Sequence, residues 1–307
     1  MRVAAIDCGT NSIRLLIADI ENGNLTDVVR QMIVVRLGEG VDKTGEFSSA
    51  ALERTFAAVD EYAKLIELHQ PERIKFVATS ASRDVSNREV FVTGIKSRLG
   101  IEPSVISGDE EARLSFLGAT ADLLTDEKAP KAPYLVVDIG GGSTEFVLGD
   151  TSPQQALSTN VGCVRMTERH LVGDPPTTEQ IAAATKDIDA AIEQAGKVVD
   201  LTKAQSLIGL AGSVTTVAAL ALGLKAYKSE VIHGSRISAQ QVHEVASELL
   251  AMPRAKRAEL GPMHPGRVDV IGGGALVLDR IMQKTGIAEV VVSERDILDG
   301  IARDLAK

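Results

Sequence analysis

The sequence predicts an α/β protein of two similar domains, and three observations support this prediction. The chain has 307 residues, enough for two domains that each have a hydrophobic core. Stretches typical of strands and of helices alternate along it. A strand–turn–strand motif near the N-terminus occurs again in the second half. Because only 3% of the residues are aromatic, the cores must be built from Ala, Val, Ile and Leu, which suits sheets covered by helices.

The repeated motif is predicted to be a β-hairpin. Its copies read I-D-C-G-T-N-S at residues 6–12 and V-D-I-G-G-G-S at residues 137–143, with Asp, Gly and Ser identical. The alignment continues without a gap through a second apolar stretch to Asp19 and Asp150. An apolar strand, a short polar turn with glycine and a second apolar strand are typical of a hairpin.

Both hairpin tips are predicted to bind phosphate. Glycine allows successive peptide N–H groups to face an anion at close range, as in the nests that bind phosphate. The Asp that ends the first strand of each copy, Asp7 or Asp138, can hold a divalent cation or its waters, although Asp7 could instead cap its turn. Two ordinary glycine turns are the alternative, but two copies in register favour phosphate binding. The predicted phosphate-binding residues of the tips are Thr10, Asn11, Ser12, Gly140, Gly141, Gly142, Ser143 and Thr144.

The segment between the hairpins contains further elements and a linker. Residues 50–68 have the apolar spacing of a helix, residues 74–78 are typical of a strand, and residues 79–84 form a polar loop. Residues 126–133 read D-E-K-A-P-K-A-P, a charged, proline-rich stretch that is the best candidate for an interdomain linker. We therefore predict an N-terminal domain over residues 1–126 and a C-terminal domain over residues 127–307.

The second half contains two segments that resemble each other. Residues 206–210 are predicted to be a strand, followed by a glycine turn and a helix from about Val214. Residues 268–271 are predicted to be a strand as well, followed by three glycines and a helix from Ala275. A strand, a glycine turn and a helix N-terminus form an anion-binding arrangement, so Gly212 and Ser213 join the predicted phosphate-binding residues.

Composition excludes several classes of protein. A net charge of −9 argues against broad binding of nucleic acid, so a polyanionic ligand would have to be held by local N–H groups, arginines and a metal ion. Residues 204–224 carry no charge, but polar residues and glycines interrupt them, so we expect a strand, a turn and a helix there, not a membrane span. Residues 1–6 lead directly into a strand without a signal peptide, and we expect a cytoplasmic protein. Cys8 and Cys163 are too few for a disulfide framework and lack metal-ligand spacing.

Taken together, these motifs resemble the exopolyphosphatase and guanosine pentaphosphate phosphohydrolase family, Ppx/GppA. The matching segments are A-I-D-C-G-T-N-S (5–12), S-G-D-E-E-A-R-L (107–114), V-V-D-I-G-G-G-S-T-E (136–145), N-V-G-C-V-R (160–165) and G-L-A-G-S-V-T-T (209–216). The resemblance implies the actin-like ATPase and sugar-kinase (ribonuclease H-like) fold, with two similar domains around a phosphate-binding cleft. A C-terminal helix over about residues 295–307 is expected to pack back onto the N-terminal domain. The resemblance also implies hydrolysis by water with Mg²⁺ or Mn²⁺.

The resemblance assigns roles to individual residues. Glu111 matches the catalytic base, and Arg83 matches an arginine that contacts phosphate. Asp138 and Glu145 match the acidic metal site of the second hairpin, with Asp7 as the counterpart in the first. The residues also allow other roles: Glu111 could be only a first-turn acid, and Arg83 could form a surface salt bridge to Asp84 or Glu89. Ser107 and Glu110 fit a helix capping box, which gives Glu110 a structural role and places Glu111 one residue later.

The implied activity is that of an exopolyphosphatase, which releases terminal orthophosphate from inorganic polyphosphate. Short chains are the expected substrate, because longer relatives append helical domains after the position where this sequence ends. Guanosine pentaphosphate is the alternative substrate, and a homodimer is implied by resemblance only. A sugar or acetate kinase of the same fold could use Gly272, Gly273 and Gly274 at a nucleotide site, but it would leave S-G-D-E-E-A-R-L unexplained. The alternative that is not an enzyme is a non-catalytic actin-like nucleotide-binding scaffold.

Overall fold

The structure, a computed structural model, describes residues 1–83, 85–123 and 129–307. The chain forms two compact units. The N-terminal unit consists of Met1–Gly118 together with Ile297–Lys307, and the C-terminal unit consists of Ala119–Asp296. The predicted domain boundary between residues 126 and 127 lies outside the described residues, as does the first part of the predicted linker.

Each unit contains one mixed sheet and several helices. The strands are β1 Arg2–Cys8, β2 Ser12–Glu21, β3 Asn24–Val34, β4 Arg73–Ala78, β5 Ser104–Val105, β6 Tyr134–Ile139, β7 Thr144–Gly149, β8 Pro153–Thr159, β9 Ser206–Leu210, β10 Arg236–Ser238 and β11 Glu289–Val292. The helices are α1 Val41–Thr44, α2 Ser49–His69, α3 Ser80–Arg83, α4 Arg88–Leu99, α5 Gly108–Leu123, α6 Cys163–Arg169, α7 Thr178–Gly196, α8 Ala211–Ala221, α9 Ser229–Ile232, α10 Ala239–Ala251, α11 Arg254–Arg257, α12 Ile271–Thr285 and α13 Ile297–Leu305.

The sheet of the N-terminal unit has the strand order β3-β2-β1-β4-β5 and is covered on both faces. Successive side chains of β1 point to opposite faces of the sheet. Ala4 and Ile6 belong to a core with side chains of α2 and α4. Val3 and Ala5 belong to a second core, which includes side chains of α5 and α13. The C-terminal helix is therefore part of the N-terminal unit, although it is the last element of the chain.

The sheet of the C-terminal unit has the strand order β10-β11-β9-β6-β7-β8. Two of its helices, α7 and α10, begin at polar residues that cap them. Thr177 and Ser238 each accept a hydrogen bond from the backbone N–H three residues later, in capping boxes with Gln180 and Gln241. The core of this unit contains apolar side chains of β6, β7, α7, α8, α10 and α12.

The two predicted hairpins are confirmed, and their strands pair in the same register. Asp7 lies opposite Arg14 in the first, and Asp138 lies opposite Glu145 in the second. The same backbone hydrogen bond closes both turns, from Gly9 N to Ser12 O at 2.9 Å and from Gly140 N to Ser143 O at 3.0 Å. The sequence repeat therefore corresponds to a repeated structural unit.

Three local predictions were wrong. Residues 268–271 do not form a strand: a turn follows the 3-10 turn Pro265–Arg267, and α12 begins at Ile271. A short apolar run is equally typical of a buried helix start, and here packing of the helix decides. Helix α8 begins at Ala211, earlier than predicted, and residues 80–83 form a short helix where a loop was expected.

The uncharged stretch at residues 204–224 forms β9 and α8, as predicted. Among the described residues, none of the helices is long and apolar enough to span a bilayer.

Candidate active site

The predicted functional residues fall into two groups, one in each unit. The N-terminal unit carries Asp7, Thr10, Asn11, Ser12, Arg83 and Glu111, and the C-terminal unit carries Asp138, Gly140, Gly141, Gly142, Ser143, Thr144, Glu145, Gly212 and Ser213.

Glu111 and Arg83 are in direct contact. Glu111 is only 7% exposed, and Arg83 Nη1 donates to its Oε2 at 2.6 Å. A charge-assisted bond of this length favours the ionised carboxylate and fixes its orientation. Arg83 is thus paired with Glu111, whereas one alternative partner, Asp84, lies outside the described residues.

The start of α5 separates Glu111 from its neighbour Glu110. Ser107 Oγ accepts from Glu110 N at 3.2 Å, as expected for the N-cap of this helix. The side chain of Glu110 is more exposed, and its Oε1 lies 3.8 Å from Lys75 Nζ. Two consecutive glutamates therefore have different environments, and only Glu111 is buried beside a guanidinium group.

The first hairpin tip is held by the segment that follows β3. Val35 N and Arg36 N both donate to Asn11 O, and Gly38 N donates to Thr10 O at 2.8 Å. These carbonyl oxygens are bonded within the protein, so they are not the groups that would meet an anion, which requires N–H donors.

The second tip is held in the same way by the segment that follows β8. Val164 N donates to Gly141 O at 2.9 Å, and Arg165 Nε donates to Gly142 O at 2.7 Å. Gly162 lies so close to this tip that a Cβ atom there would be 2.5 Å from Gly141 O. The backbone of the tip is therefore supported on its inner side by residues of the N-V-G-C-V-R segment.

The acidic residues of the two hairpins have different partners. Asp7 Oδ2 accepts from Arg14 Nη2 at 2.6 Å, so the first hairpin has a carboxylate and a guanidinium side by side. The position that matches Arg14 in the repeat is Glu145, which lies opposite Asp138 on the same face of its sheet. Glu145 Oε1 accepts from Ser158 Oγ at 2.7 Å. The second hairpin thus places two buried carboxylates next to each other.

The pair in the second hairpin fits a divalent cation. Mg²⁺ prefers oxygen ligands and is usually held by one or two carboxylates, with water and substrate phosphates completing its shell. Within residues 1–83, 85–123 and 129–307, no three His, Cys, Asp or Glu side chains are grouped as a metal site. Asp138 and Glu145 supply the two carboxylates, and a cation bound to both would offset the repulsion between like charges. Asp7 lies beside Arg14, which already provides a positive charge.

Gly212 and Ser213 lie in the first turn of α8, directly after β9. Ala211 has a φ of 69°, a left-handed conformation that is uncommon for a residue with a Cβ atom and recurs at functional sites. The Arg267 guanidinium covers Gly212, since a Cβ atom there would lie 2.1 Å from its Cζ. Ser213 Oγ is packed against Gly274. Gly212 therefore lies beside a cation, while the Ser213 side chain takes part in helix packing.

The three consecutive glycines of α12 allow close helix packing. A Cβ atom at Gly273 would lie 2.8 Å from Cys163 O, and one at Gly274 would lie 2.1 Å from Ser213 Oγ. All three glycines are buried in the first turn of the helix. Burial raises the pKa of the Cys163 thiol, an effect that the Ser213 hydrogen bond only partly offsets, so this cysteine is kept as a thiol.

Sequence reasoning missed four residues that shape these sites: Arg14, Gly162, Arg165 and Arg267. Gly162 and Arg165 belong to a segment that was recognised for its family resemblance, but no role was given to them. Arg14 could have been found from the repeat, because it occupies the position of Glu145. Arg267 had no local signal, since its contact with Gly212 joins residues that are far apart in the chain.

Comparison with known proteins gives consistent matches over nearly the whole chain. The model of the Ppx/GppA phosphatase family matches residues 16–307. Exopolyphosphatase 2 of Mycobacterium tuberculosis is 48% identical over 318 residues, which cover 99% of this chain and 98% of that protein. The crystal structure of an exopolyphosphatase-like protein matches with a TM-score of 0.95 and 48% identity, covering 99% of this chain and 97% of the other. The crystal structure of the Aquifex aeolicus member of the Ppx/GppA family matches with a TM-score of 0.82 and 30% identity, with coverages of 99% and 97%.

Proposed function

The chain belongs to the Ppx/GppA phosphatase family, and from this premise we propose that it is an exopolyphosphatase that releases terminal orthophosphate from inorganic polyphosphate. Membership makes it a hydrolase of phosphoric anhydrides with an actin-like ATPase fold, which confirms the family, the enzyme class and the fold predicted from the sequence. The observation that carries the proposed mechanism is the contact between Glu111 and Arg83.

Glu111 is proposed to act as the general base. A water oxygen forms a bond to the terminal phosphorus while the bond from that phosphorus to the bridging oxygen breaks. Glu111 takes a proton from the water, and the shortened chain leaves with the electron pair on the former bridging oxygen. Burial of Glu111 and its bond to Arg83 support this role, because both hold the carboxylate in one orientation.

Arg83 is proposed to bind the terminal phosphate while it holds Glu111. A guanidinium group has five N–H donors in a fixed plane, and Nη1 is the atom that contacts Glu111. The remaining donors suit phosphate oxygens. A single side chain could thus place the base and the reacting phosphate next to each other, which is how positioning contributes to phosphoryl transfer.

In the C-terminal unit, the tip at residues 140–144 and Gly212 are proposed to bind further phosphates through N–H groups. Arg267 beside Gly212 adds positive charge there. Asp138 and Glu145 would hold Mg²⁺ or Mn²⁺, whereas Asp7, predicted as their counterpart in the first hairpin, is paired with Arg14. The bound ion would neutralise charge on the phosphate oxygens.

The alternative functions require different residues to form the site. The kinase alternative would use Gly272, Gly273 and Gly274 at a nucleotide site, yet these glycines are buried against other helices of their unit. A scaffold without catalytic activity would not need a base at Glu111. Guanosine pentaphosphate remains the second candidate substrate, because it ends in the same phosphoanhydride. A guanosine-5'-triphosphate,3'-diphosphate pyrophosphatase of Pseudoalteromonas atlantica is 36% identical to this chain over 198 residues.

The experiment measures phosphate release in the presence of Mg²⁺ from short polyphosphate, long polyphosphate, guanosine pentaphosphate and ATP. Glu111→Gln is expected to lower kcat by ~10²–10⁴-fold on the preferred substrate, because the proton acceptor is lost. Glu110→Gln is the matched control: it removes the neighbouring carboxylate, which lies near Lys75, and kcat should stay close to wild type. A folded Glu111→Gln enzyme with wild-type kcat would rule out the proposed base. Preference for guanosine pentaphosphate over both polyphosphates would change the substrate and leave the mechanism intact.

A further inference from the structure

Helix α13 touches the backbone of α5 directly, and Gly300 makes this contact possible. A Cβ atom on Gly300 would lie 2.0 Å from Leu114 O, 2.7 Å from Leu114 C and 3.1 Å from its Cα. These are backbone atoms inside a helix, so they cannot turn away as a flexible side chain could. Any residue larger than glycine at this position must therefore push the two helices apart.

The contact lies on the same face of α5 as Glu111. Leu114 follows Glu111 by three residues, and residues with this spacing are neighbours on a helix surface. A displacement of α5 at Leu114 is thus transmitted over less than one helical turn to Glu111. Arg83, which binds Glu111, belongs to α3, so it would not move with α5.

Several further contacts fix α13 to the N-terminal unit. Asp299, buried in α13, is paired with Arg30 of β3. Arg113 Nη1 lies 3.3 Å from Asp304 Oδ1, which ties α5 and α13 together one residue away from the Gly300 contact. The side chains of α13 buried in the shared core are Ile297, Leu298, Ile301 and Ala302. Because α13 is anchored in this way, the close contact at Gly300 determines where α5 lies.

We propose that Gly300 is a positioning residue for the hydrolytic reaction. Without a side chain at this position, α13 and α5 can pack closely enough for Glu111 to reach Arg83. The inference rests on the proposed function, in which Glu111 is the base. Glycine at position 300 is then required for the geometry of the reaction, in addition to any effect on stability. A shift of about 1 Å in a catalytic group can lower the rate by ~10²-fold.

The test compares Gly300→Ala with Gly196→Ala in steady-state kinetics. Gly196 ends α7, and a Cβ atom there would meet Leu201 Cδ1 at 3.7 Å, an ordinary contact, so its kinetics should match wild type. Gly300→Ala is expected to lower kcat by about 10–100-fold with KM within about twofold of wild type, because the base is displaced while the phosphate-binding groups stay in place. Thermal unfolding of both variants establishes that they are folded at the assay temperature.

A double-mutant cycle separates positioning from a general structural effect. In the Glu111→Gln background, Gly300→Ala should cause no further fall in kcat, because the group that it displaces is already absent. If the two losses multiply, or if Gly300→Ala alone has wild-type kcat, the inference is wrong. If Gly300→Ala does not fold, Arg113→Met removes the neighbouring ion pair between α5 and α13 without steric overlap and should give a smaller fall in kcat that also disappears in the Glu111→Gln background. A wild-type kcat for Glu111→Gln itself would instead show that the proposed base is wrong.

Discussion

At the scale of single residues, the two hairpins differ in charge at one matching position. Arg14 and Glu145 occupy it, and each lies opposite the Asp that ends the first strand. In the first hairpin the carboxylate is neutralised within the protein, whereas in the second a bound cation would serve this purpose. The two copies of the repeat therefore share a backbone structure but differ in charge, and the acidic residue of the first copy needs no ion to neutralise it.

The Asp7–Arg14 pair should contribute much more to stability than a surface pair on the same hairpin. Asp7 is 5% and Arg14 is 21% exposed at the side chain, and removal of one partner leaves a buried charge. We expect Arg14→Met to lower the free energy of unfolding by about 3 kcal/mol. Arg2→Met is the matched control, because Arg2 and Asp19 are 36% and 38% exposed, and it should lower the free energy of unfolding much less than Arg14→Met. Urea unfolding measures both values, and equal losses would contradict the expected role of burial.

The sequence revealed the residue types of the sites better than their partners. The repeat identified Asp7, Asp138 and both tips because identical residues recur in register. It did not identify Arg14, because a position that differs between two copies gives no signal when only identities are considered. The contact of Arg83 with Glu111 was not predicted either, since it joins two elements that only the tertiary fold brings together.

At the scale of elements, the second tip depends on the glycine that precedes α6. Gly162 has a φ of −167°, an extended conformation that any residue can adopt, so an alanine there meets only a steric obstacle. A Cβ atom would lie 2.5 Å from Gly141 O and 2.8 Å from Gly140 O, both backbone atoms of the tip. The glycine is thus needed for close approach of the two segments, not for backbone freedom.

We expect Gly162→Ala to raise KM for the phosphate substrate by about tenfold or more, because it displaces the N–H groups of the tip. Gly196→Ala again serves as the control, with KM unchanged. Steady-state kinetics with the substrate preferred in the phosphate-release assay measure the KM of both variants. An unchanged KM in Gly162→Ala would show that the tip at residues 140–144 does not bind the substrate.

Elements with a strong local signal were predicted well, and those decided by packing were not. The hairpins, α2 and β9 follow from hydrophobic periodicity and turn residues, and their observed bounds agree with the prediction within one or two residues where bounds were given. The segment at residues 268–271 was predicted to be a strand but leads into a helix at Ile271, because the glycines at 272–274 that follow it allow α12 to pack closely against other helices. Sequence periodicity carries no information about such contacts between distant helices.

At the scale of the whole molecule, the last residues of the chain complete the unit that contains the first. The face of the sheet with Val3 and Ala5 is covered by α13, so the N-terminal unit depends on residues that lie far from its other elements in the sequence. The C-terminal helix and the unit that it would join were expected only from the resemblance to a known family.

The attachment of α13 should weaken in acid, because it involves Asp304. Burial by itself raises the pKa of Asp304. The charge of Arg113 and its hydrogen bond to Asp304, followed by the contributions of Lys75 and Lys307, lower the pKa by more than burial raises it, so the pKa lies below its ordinary value. A lowered pKa in the folded state means that the unfolded chain binds the proton more readily. The stabilisation is therefore complete above the unfolded pKa of about 4 and is lost as the pH falls through the folded pKa.

We expect the difference in free energy of unfolding between wild type and Asp304→Asn to be constant from about pH 8 to about pH 5 and to shrink below about pH 4, because protonated Asp304 carries no charge for Arg113 and Lys75 to pair with. Glu259→Gln is the control, since Glu259 forms an exposed pair with Lys256 on the surface, and its difference from wild type should stay near zero throughout. Urea unfolding at a series of pH values measures both differences. A gap for Asp304→Asn that widened on acidification would mean that the carboxyl group is stabilised in its protonated form, and α13 would then be held by its apolar side chains and the Arg30–Asp299 pair without a contribution from Asp304.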